Sequence, residues 1–178
     1  MNLIIFEGDE RAGKTLTMKQ MIKNIDSIRI RMVDFHTIID GYIKNNTFDE
    51  DLYVIKILSI LKTKYDGFIF LDRSILSAFV YNNLCDEKML KDFFIFLKQE
   101  FPNFKMFIFN CNYKTYKKRE NGKRKIRTID EFFSKKLLYE KWLKKIYEIE
   151  NIQKNIYMVN GNKNVKNRVK KIMRIIGV

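Results

Sequence analysis

The chain has 178 residues, a length that suits one domain with one hydrophobic core. Hydrophobic residues make up 46% of it, and its 15 Phe and 9 Tyr exclude a chain that stays mostly disordered. The formal net charge of +14 favours anionic partners such as phosphates, nucleotides or nucleic acid, although a basic surface that is merely solvated has the same composition.

Cysteine usage and hydropathy exclude several further classes. The two cysteines, Cys85 and Cys111, are not in metal-ligand spacing, so neither a disulfide framework nor a zinc site is expected. The first residues have no signal-peptide pattern, and no apolar run approaches the roughly 20 residues that a membrane span needs. We therefore expect a soluble, cytoplasmic protein without a membrane partner.

Apolar patterns along the chain predict strands that alternate with helices. Short apolar runs predict strands at 2–6, 28–33, 67–71, 105–109 and 156–159. Helical spacing predicts helices beginning near residue 14, over 52–62, around 89–97, over about 128–152 and over 165–176. This alternation predicts an α/β domain of three layers over residues 1–178, with a five-stranded parallel sheet between helices.

The loop after the first strand carries a phosphate-binding motif. Residues 8–15 read Gly-Asp-Glu-Arg-Ala-Gly-Lys-Thr and match the P-loop pattern G-x-x-x-x-G-K-[ST]. Its backbone N–H groups and the following helix N-terminus attract phosphate oxygens. Lys14 is expected to reach the β- and γ-phosphates of ATP, and the Thr15 hydroxyl to coordinate Mg²⁺. The predicted nucleotide-binding residues are Gly8, Glu10, Ala12, Gly13, Lys14, Thr15 and Leu16.

A second candidate metal ligand ends the third predicted strand. Asp72 follows the apolar run 68–71, a position from which a carboxylate can help to hold Mg²⁺ beside the P-loop. A GTPase is not indicated, because no Asp-x-x-Gly follows the P-loop and residues 162–164 (Asn-Lys-Asn) lack the aspartate of a guanine-binding motif. We interpret residues 162–164 as the N-terminal region of the last helix.

Two segments together resemble thymidylate kinases. Residues 7–15 are similar to that family's E-G-x-D-x-A-G-K-[ST] loop, and residues 72–82 (Asp-Arg-Ser-Ile-Leu-Ser-Ala-Phe-Val-Tyr-Asn) to its D-R-[YH]-x-x-S-x-x-A-Y-Q segment. The basic stretch within about 113–130 stands where the family has a mobile lid. The resemblance covers nearly the whole chain. It implies strand order 2-3-1-4-5, ATP and Mg²⁺ as cofactors, a small nucleotide as substrate, and a homodimer as the assembly common in the family.

The resemblance also implies roles for single residues. Arg73 would bind the acceptor phosphate, and Glu10 stands where the family has an aspartate near the acceptor's 3′-hydroxyl. Arg11 stands where some members place an arginine that steadies the transferred phosphoryl group. Three lid arginines could close over the phosphates: Arg119, Arg124 and Arg127. The predicted catalytic residues are Lys14, Arg11, Arg73 and Arg124, and the predicted acceptor-binding residues are Glu10, Asp34, Arg73, Ser77, Tyr81 and Asn82.

The chain departs from the thymidylate kinase pattern at several positions. Residues 52–62 contain no arginine where the family has one that helps to bind the acceptor phosphate, so Lys56 or Lys62 would replace it as a point charge. Asn82 replaces a glutamine. The proline usual after the second strand is absent, and residues 33–36 (Val-Asp-Phe-His) stand there instead. A carboxylate there suits a general base for a hydroxyl acceptor.

Several functions therefore remain open. The resemblance most strongly indicates ATP-dependent phosphorylation of a (deoxy)nucleoside monophosphate, with dTMP to dTDP as the first expectation. Deoxynucleoside kinases resemble the chain too, with E-R-S where it has Asp72-Arg73-Ser74, and Asp34 would then act as the base. The +14 charge favours a nucleic-acid-binding ATPase or polynucleotide 5′-kinase. A P-loop protein that binds nucleotide and regulates a partner is a further alternative.

Overall fold

The computed structural model describes residues 2–25, 30–34, 58–60, 62–64, 66–81, 86–119 and 127–178. It contains a sheet of five parallel strands, which are β1 (Asn2–Gly8), β2 (Ile30–Asp34), β3 (Phe68–Asp72), β4 (Lys105–Asn110) and β5 (Ile156–Asn160). The strand order is β2-β3-β1-β4-β5. The predicted fold class and strand order are thus confirmed.

The central strand β1 sends alternate side chains into two hydrophobic cores. Leu3 and Ile5 pack into the core on one face of the sheet, and Ile4 and Phe6 into the core on the other. This alternation follows from the two-residue period of a strand. All four side chains are buried, which is typical of a parallel strand covered on both faces. By contrast, Met32 on the edge strand β2 is exposed.

Helices cover both faces of the sheet. On the face of Ile4 and Phe6, α1 (Lys14–Asn24) packs against α6 (Val165–Ile176). The opposite face carries α2 (Ile75–Tyr81), α3 (Glu87–Glu100) and α5 (Ile129–Tyr147). A short helix, α4 (Tyr113–Lys118), lies between β4 and α5 in the chain. The predicted apolar stripe of α3 is buried as expected, in Leu90, Phe93, Phe94 and Leu97.

Side-chain caps fix where several helices begin. At the start of α5, the Thr128 hydroxyl accepts a hydrogen bond from the Glu131 N–H, and the Glu131 carboxylate accepts one from the Thr128 N–H. At the start of α6, the Asn164 side chain accepts from the Asn167 N–H. Such caps stabilise a helix by about 1 kcal/mol. The interpretation of residues 162–164 as the beginning of the last helix is therefore confirmed.

The elements differ from the prediction in several places, and helix α2 was not predicted at all. The long helix ends at Tyr147 rather than at 152, and Asn151, in a left-handed conformation with φ of 60°, then precedes a 3-10 turn at Ile152–Asn155. The basic stretch after β4 begins with the unpredicted helix α4, which Asn112 caps by accepting from the Thr115 N–H. Most of the helix predicted over 52–62 lies outside the described residues, although residues 58–60 and 62–64 are helical.

Candidate active site

The loops at the carboxyl edge of the sheet surround a cavity of about 830 Å³. Parallel α/β sheets bind ligands at this edge, and the volume suits a nucleotide-sized molecule. Most of the residues predicted from the sequence line it. These residues are Glu10, Arg11, Gly13, Lys14, Thr15, Leu16, Asp34, Asp72, Arg73 and Arg119.

The P-loop backbone has a conformation that depends on its two glycines. Gly8 has a φ of 114° and Gly13 a φ of 94°, a region that residues with a Cβ rarely adopt. A Cβ at Gly8 would collide with the backbone of Phe109, and one at Gly13 would lie 2.7 Å from Arg168 Nη2. Because α1 begins at Lys14, its first unpaired N–H groups belong to this loop. The loop thus has the tight backbone turn on which the predicted phosphate cradle depends.

Lys14 lies at the centre of the P-loop and is 6% exposed. Its Nζ donates hydrogen bonds to the carbonyl oxygens of Gly8, at 2.7 Å, and Asp9, at 2.8 Å. Burial lowers the pKa of Lys14 to about 7, and the positive charge of Arg73 acts in the same direction. A phosphate near this ammonium would stabilise its charged form. The site therefore holds a buried cation that an anionic ligand would stabilise.

The two predicted metal ligands lie next to each other. Thr15 Oγ1 is 3.4 Å from Asp72 Oδ2, and Asp72 pairs in register with Asp34 across β3 and β2. Burial raises the pKa of Asp72, a cost that a bound cation would offset. Among the described residues, no cluster of three or more His, Cys, Asp or Glu side chains could hold a metal. Mg²⁺ does not need such a cluster, because it uses few protein oxygens and keeps several waters. Thr15 and Asp72 suit this ion and would hold it.

The buried carboxylate of Glu7 supports the cavity from the side of α2. Its Oε1 accepts hydrogen bonds from the Gly8 N–H (2.9 Å), the Ser77 hydroxyl (2.6 Å) and the Tyr139 hydroxyl (2.9 Å). Its Oε2 accepts from the N–H and the hydroxyl of Ser74, at 2.9 and 2.8 Å. A fully buried carboxylate is tolerated only with such partners. Glu7 therefore ties the P-loop to the segment after β3 and to α5.

Arg73 begins the segment after β3 and has a φ of 75°, which is uncommon for a residue other than glycine. Its N–H donates to the Phe6 carbonyl oxygen at 2.9 Å. The side chain is buried, and Nη1 donates to the Ser77 hydroxyl at 3.0 Å. Ser77, predicted to bind the acceptor, thus contacts Glu7 and Arg73 and orients the Arg73 guanidinium.

Tyr81, at the end of α2, connects Arg73 with the segment that precedes α5. The centre of its ring is 5.1 Å from Arg73 Cζ and 4.9 Å from Arg127 Cζ. Arg127 Nη2 in turn lies 3.2 Å from Glu10 Oε1. The Tyr81 ring also packs edge-on against Tyr139, with the ring centres 6.0 Å apart. One lid arginine and the predicted acceptor residues Glu10, Arg73 and Tyr81 therefore lie together.

A second predicted lid arginine, Arg119, lines the cavity together with residues of α6. Arg119 donates hydrogen bonds to the carbonyl oxygens of Arg11, at 2.9 Å, and Gly161, at 2.8 Å. The buried Arg168 of α6 also donates to the Gly161 carbonyl, at 3.1 Å, and it donates to the Thr17 hydroxyl of α1 at 3.0 Å. Arg119 and Arg168 thus join the P-loop, α1 and the loop after β5.

The remaining predicted site residues have varied positions. The Arg11 guanidinium stacks on the ring of Tyr116, with Cζ 4.9 Å from the ring centre. Ala12 is fully buried in the hydrophobic core on the α1 and α6 face, and Leu16 is 58% exposed at the cavity. Arg124 and Asn82 lie outside the described residues.

Sequence reasoning missed three residues that support the site: Glu7, Tyr139 and Arg168. Glu7 is the first residue of the segment 7–15 that resembles thymidylate kinases. The motif therefore located Glu7 beside the P-loop, but it did not predict that its carboxylate accepts hydrogen bonds. Arg168 interrupts the apolar face formed by Val165, Val169 and Ile172, and a charged residue on such a face is a usable signal. Nothing in the sequence distinguishes Tyr139 from the other tyrosines of the chain.

Solved structures with the same fold are kinases. The chain is similar to thymidylate kinase from Candida albicans (19% identity, TM-score 0.55, 98% of this chain and 90% of that one). It is equally similar to deoxyadenosine kinase from M. mycoides with bound dCTP (19%, TM-score 0.56, 99% of each chain). For a putative polyphosphate kinase 2 from Pseudomonas aeruginosa the identity is 18% and the TM-score 0.67, but the chain spans only 38% of that protein.

These similarities establish the class of fold. No protein-family model and no curated protein sequence matches the chain. The chain has the fold of P-loop kinases, with five parallel strands in the order 2-3-1-4-5 and helices on both faces. None of the helices in the described residues is long and apolar enough to span a membrane.

Proposed function

We propose that the chain is a nucleotide kinase that transfers the γ-phosphoryl group of ATP to a deoxynucleoside 5′-monophosphate, with dTMP as the first acceptor to test. The observation that carries this proposal is the position of Arg73. Its buried guanidinium lines the same cavity as the P-loop. A permanently charged, planar group beside the P-loop suits the phosphate of a second substrate.

Two sides of the cavity have separate functions in this proposal. The donor side consists of residues 8–15 apart from Glu10, together with Arg119 and Arg168, and it would bind ATP through the P-loop backbone and Lys14. The acceptor side consists of Glu10, Arg73, Tyr81 and Arg127, and it would bind the monophosphate. Mg²⁺ on Thr15 and Asp72 would neutralise charge on the ATP phosphates when bound.

Phosphoryl transfer itself requires little from the protein beyond positioning and charge. An oxygen of the acceptor phosphate attacks the γ-phosphorus, the bond from that phosphorus to the β–γ bridging oxygen breaks, and ADP leaves. The attacking oxygen is already anionic, so no side chain has to remove a proton. Lys14 and Arg73 would hold the reacting phosphates in line and stabilise their charge.

A second candidate function is a deoxynucleoside kinase, and the position of Asp34 favours it. Asp34 ends β2, pairs with Asp72 and lines the cavity. A nucleoside offers a 5′-hydroxyl, whose proton would pass to the Asp34 carboxylate as the oxygen attacks. The names of similar structures do not decide between the two, since thymidylate kinase and deoxyadenosine kinase match at the same 19% identity.

An acceptor panel tests the proposal. Purified protein with ATP and Mg²⁺ is given each common nucleoside, deoxynucleoside and corresponding monophosphate, and a 5′-hydroxyl oligonucleotide. ADP release is measured, and each product is identified by its mass. Lys14→Ala protein, prepared in parallel, reports any contaminating kinase. Turnover of a monophosphate is expected. Turnover of nucleosides alone would replace the proposal with the second candidate.

The same panel addresses the basic charge of the chain. Turnover of the oligonucleotide alone, with activity that falls steeply as salt rises, would make nucleic acid the substrate. ATP binding without turnover of any acceptor would indicate a regulatory nucleotide-binding protein instead. Either result would contradict the proposed nucleotide kinase.

A further inference from the structure

Of the two lysines predicted to replace the missing acceptor-side arginine, Lys56 lies outside the described residues, and Lys62 can be placed. Thymidylate kinases have an arginine in the region of residues 52–62, and this chain has none there. The described candidate, Lys62, binds Glu100 at 2.9 Å and lies over the ring of Phe101 at 5.6 Å. Phe101 precedes β4 and therefore lies toward the amino-terminal edge of the sheet. Lys62 is thus engaged away from the cavity.

Three cations surround the ring of Tyr81 instead. The ring centre is 5.1 Å from Arg73 Cζ, 4.9 Å from Arg127 Cζ and 5.8 Å from Lys135 Nζ. They come from three segments: the loop after β3, the residues before α5, and α5 itself. The electron-rich face of a tyrosine attracts cations, but it carries no net charge that could neutralise three of them.

The charge balance around Tyr81 favours an anionic ligand. Arg127 is paired with Glu10 at 3.2 Å, and the buried Glu7 lies beneath Arg73 with its own set of hydroxyl and N–H donors. Among the residues that the structure describes here, three cations therefore face two nearby carboxylates. Burial lowers the pKa of Lys135, and the positive charge of Arg127 lowers it further. A phosphate dianion among these groups would relieve that repulsion.

Arg127 and Lys135 both have hydrogen-bond donors left for such a ligand. Lys135 Nζ donates to the Val80 carbonyl oxygen at 2.8 Å, and an ammonium has three donors. The Arg127 guanidinium has five donors, and its contact with Glu10 joins one Nη atom to one carboxylate oxygen. A planar guanidinium can bind a carboxylate and a phosphate at the same time.

We propose that Arg127 and Lys135 bind the 5′-phosphate of the acceptor together with Arg73, and that this triad makes the site select nucleotides over nucleosides. The inference rests on the proposed nucleotide kinase activity and names the groups that decide its acceptor class. In this arrangement Arg127 acts on the acceptor and not on the transferred phosphoryl group. Arg119, which donates to the carbonyl oxygens of Arg11 and Gly161, remains on the donor side.

Binding measurements test the inference independently of turnover. Calorimetry would give the affinities of dTMP and thymidine, and of the other three monophosphate and nucleoside pairs, for the wild type, Arg127→Gln, Lys135→Met and the double variant. Each single substitution is expected to weaken monophosphate binding about tenfold, the value of a charged hydrogen bond. Nucleoside affinity should stay unchanged. Arg127→Lys should recover part of the loss, since it retains the charge.

Lys141→Met is the matched control. Lys141 lies on the same helix and stacks on the ring of Trp142, with Nζ 4.7 Å from the ring centre, but it is not near Tyr81. Like Lys135→Met, this substitution removes a lysine of α5 that lies beside an aromatic ring. We expect its affinities for monophosphates and nucleosides to equal those of the wild type.

Each other outcome has a distinct meaning. Equal losses for monophosphates and nucleosides, or none for either, would overturn the phosphate-binding function of Arg127 and Lys135. A wild type that binds no monophosphate more tightly than its nucleoside would overturn both this inference and the proposed acceptor. Selective loss of monophosphate affinity in a protein that shows no kinase turnover would support the inference and contradict the proposed function.

Discussion

On the donor side, one continuous segment, residues 8–15, provides the P-loop backbone and the side chains of Lys14 and Thr15. The acceptor side instead combines Glu10 from the P-loop, Arg73 from the end of β3, Tyr81 from α2 and Arg127 from the segment before α5. The donor side is thus defined by local backbone geometry, whereas the acceptor side is defined by side-chain contacts between distant parts of the chain. Substitutions should therefore affect the two sides in different ways.

The largest effect is expected from Lys14→Ala on the donor side. Removing the ammonium that would stabilise the β- and γ-phosphates should lower kcat by about 10³-fold. The fold should survive, and far-UV circular dichroism, which depends on the helices and the sheet, would check this. Lys19→Ala, an exposed lysine on α1, is the control and should retain wild-type rates. A folded Lys14→Ala protein with wild-type turnover would remove Lys14 from the site.

The next largest effect is expected from Arg73→Ala on the acceptor side. Losing charged hydrogen bonds to the acceptor should raise the acceptor KM by about 10- to 100-fold, while the KM for ATP changes little. Initial rates with each substrate varied in turn would separate the two constants. An unchanged acceptor KM and kcat would exclude Arg73 from acceptor binding, and equal changes for both substrates would remove the distinction between the two sides.

Glu7→Gln tests whether a buried network holds the acceptor side in place. The amide presents an N–H₂ group to hydroxyl and N–H donors, so we expect about 1–3 kcal/mol less stability against urea. Because Ser77 connects Glu7 to Arg73, the acceptor KM should rise more than the KM for ATP. Glu140→Gln, on the exposed part of α5, should leave the unfolding midpoint unchanged. An unaltered midpoint for Glu7→Gln would contradict the supporting function of the network.

The smallest effect is expected from Asp34→Asn. A monophosphate acceptor needs no base, so turnover of the monophosphate should change by less than about threefold. A nucleoside acceptor does need one, and its turnover should then fall by about 10²-fold or more. Rates for the monophosphate and the nucleoside of the same base would separate these cases. A large loss with the monophosphate would show that Asp34 acts on the proposed reaction after all.

The difference between the two sides also explains what the sequence could predict. The P-loop is local, so its motif and its place between a strand and a helix were enough to predict nucleotide binding, and of residues 8–15 all but the buried Gly8, Asp9 and Ala12 line the cavity. The strands and the fold class followed from apolar periodicity. The strand order came from the resemblance to thymidylate kinases and not from any pattern in the sequence.

The acceptor side was predicted only in part. Glu7 accepts hydrogen bonds from Ser74 and Tyr139, which lie 67 and 132 positions away along the chain, so no local pattern could connect them. Ser77 stays a predicted acceptor residue, but its contacts with Glu7 and Arg73 were not predicted. The lid arginines were predicted as one group, whereas their partners differ: Arg119 donates to the carbonyl oxygens of Arg11 and Gly161, and Arg127 pairs with Glu10. Such separations depend on tertiary packing, which sequence spacing does not specify.

The central claim is that the donor and acceptor sides form one continuous phosphoryl-transfer site. The most direct test is binding of a bisubstrate analogue in which adenosine and thymidine are joined 5′ to 5′ by a pentaphosphate chain. We expect it to bind more tightly than ATP or dTMP alone, to compete with both, and to lose affinity in both Lys14→Ala and Arg73→Ala proteins. Competition with ATP alone, with affinity insensitive to Arg73→Ala, would contradict the account.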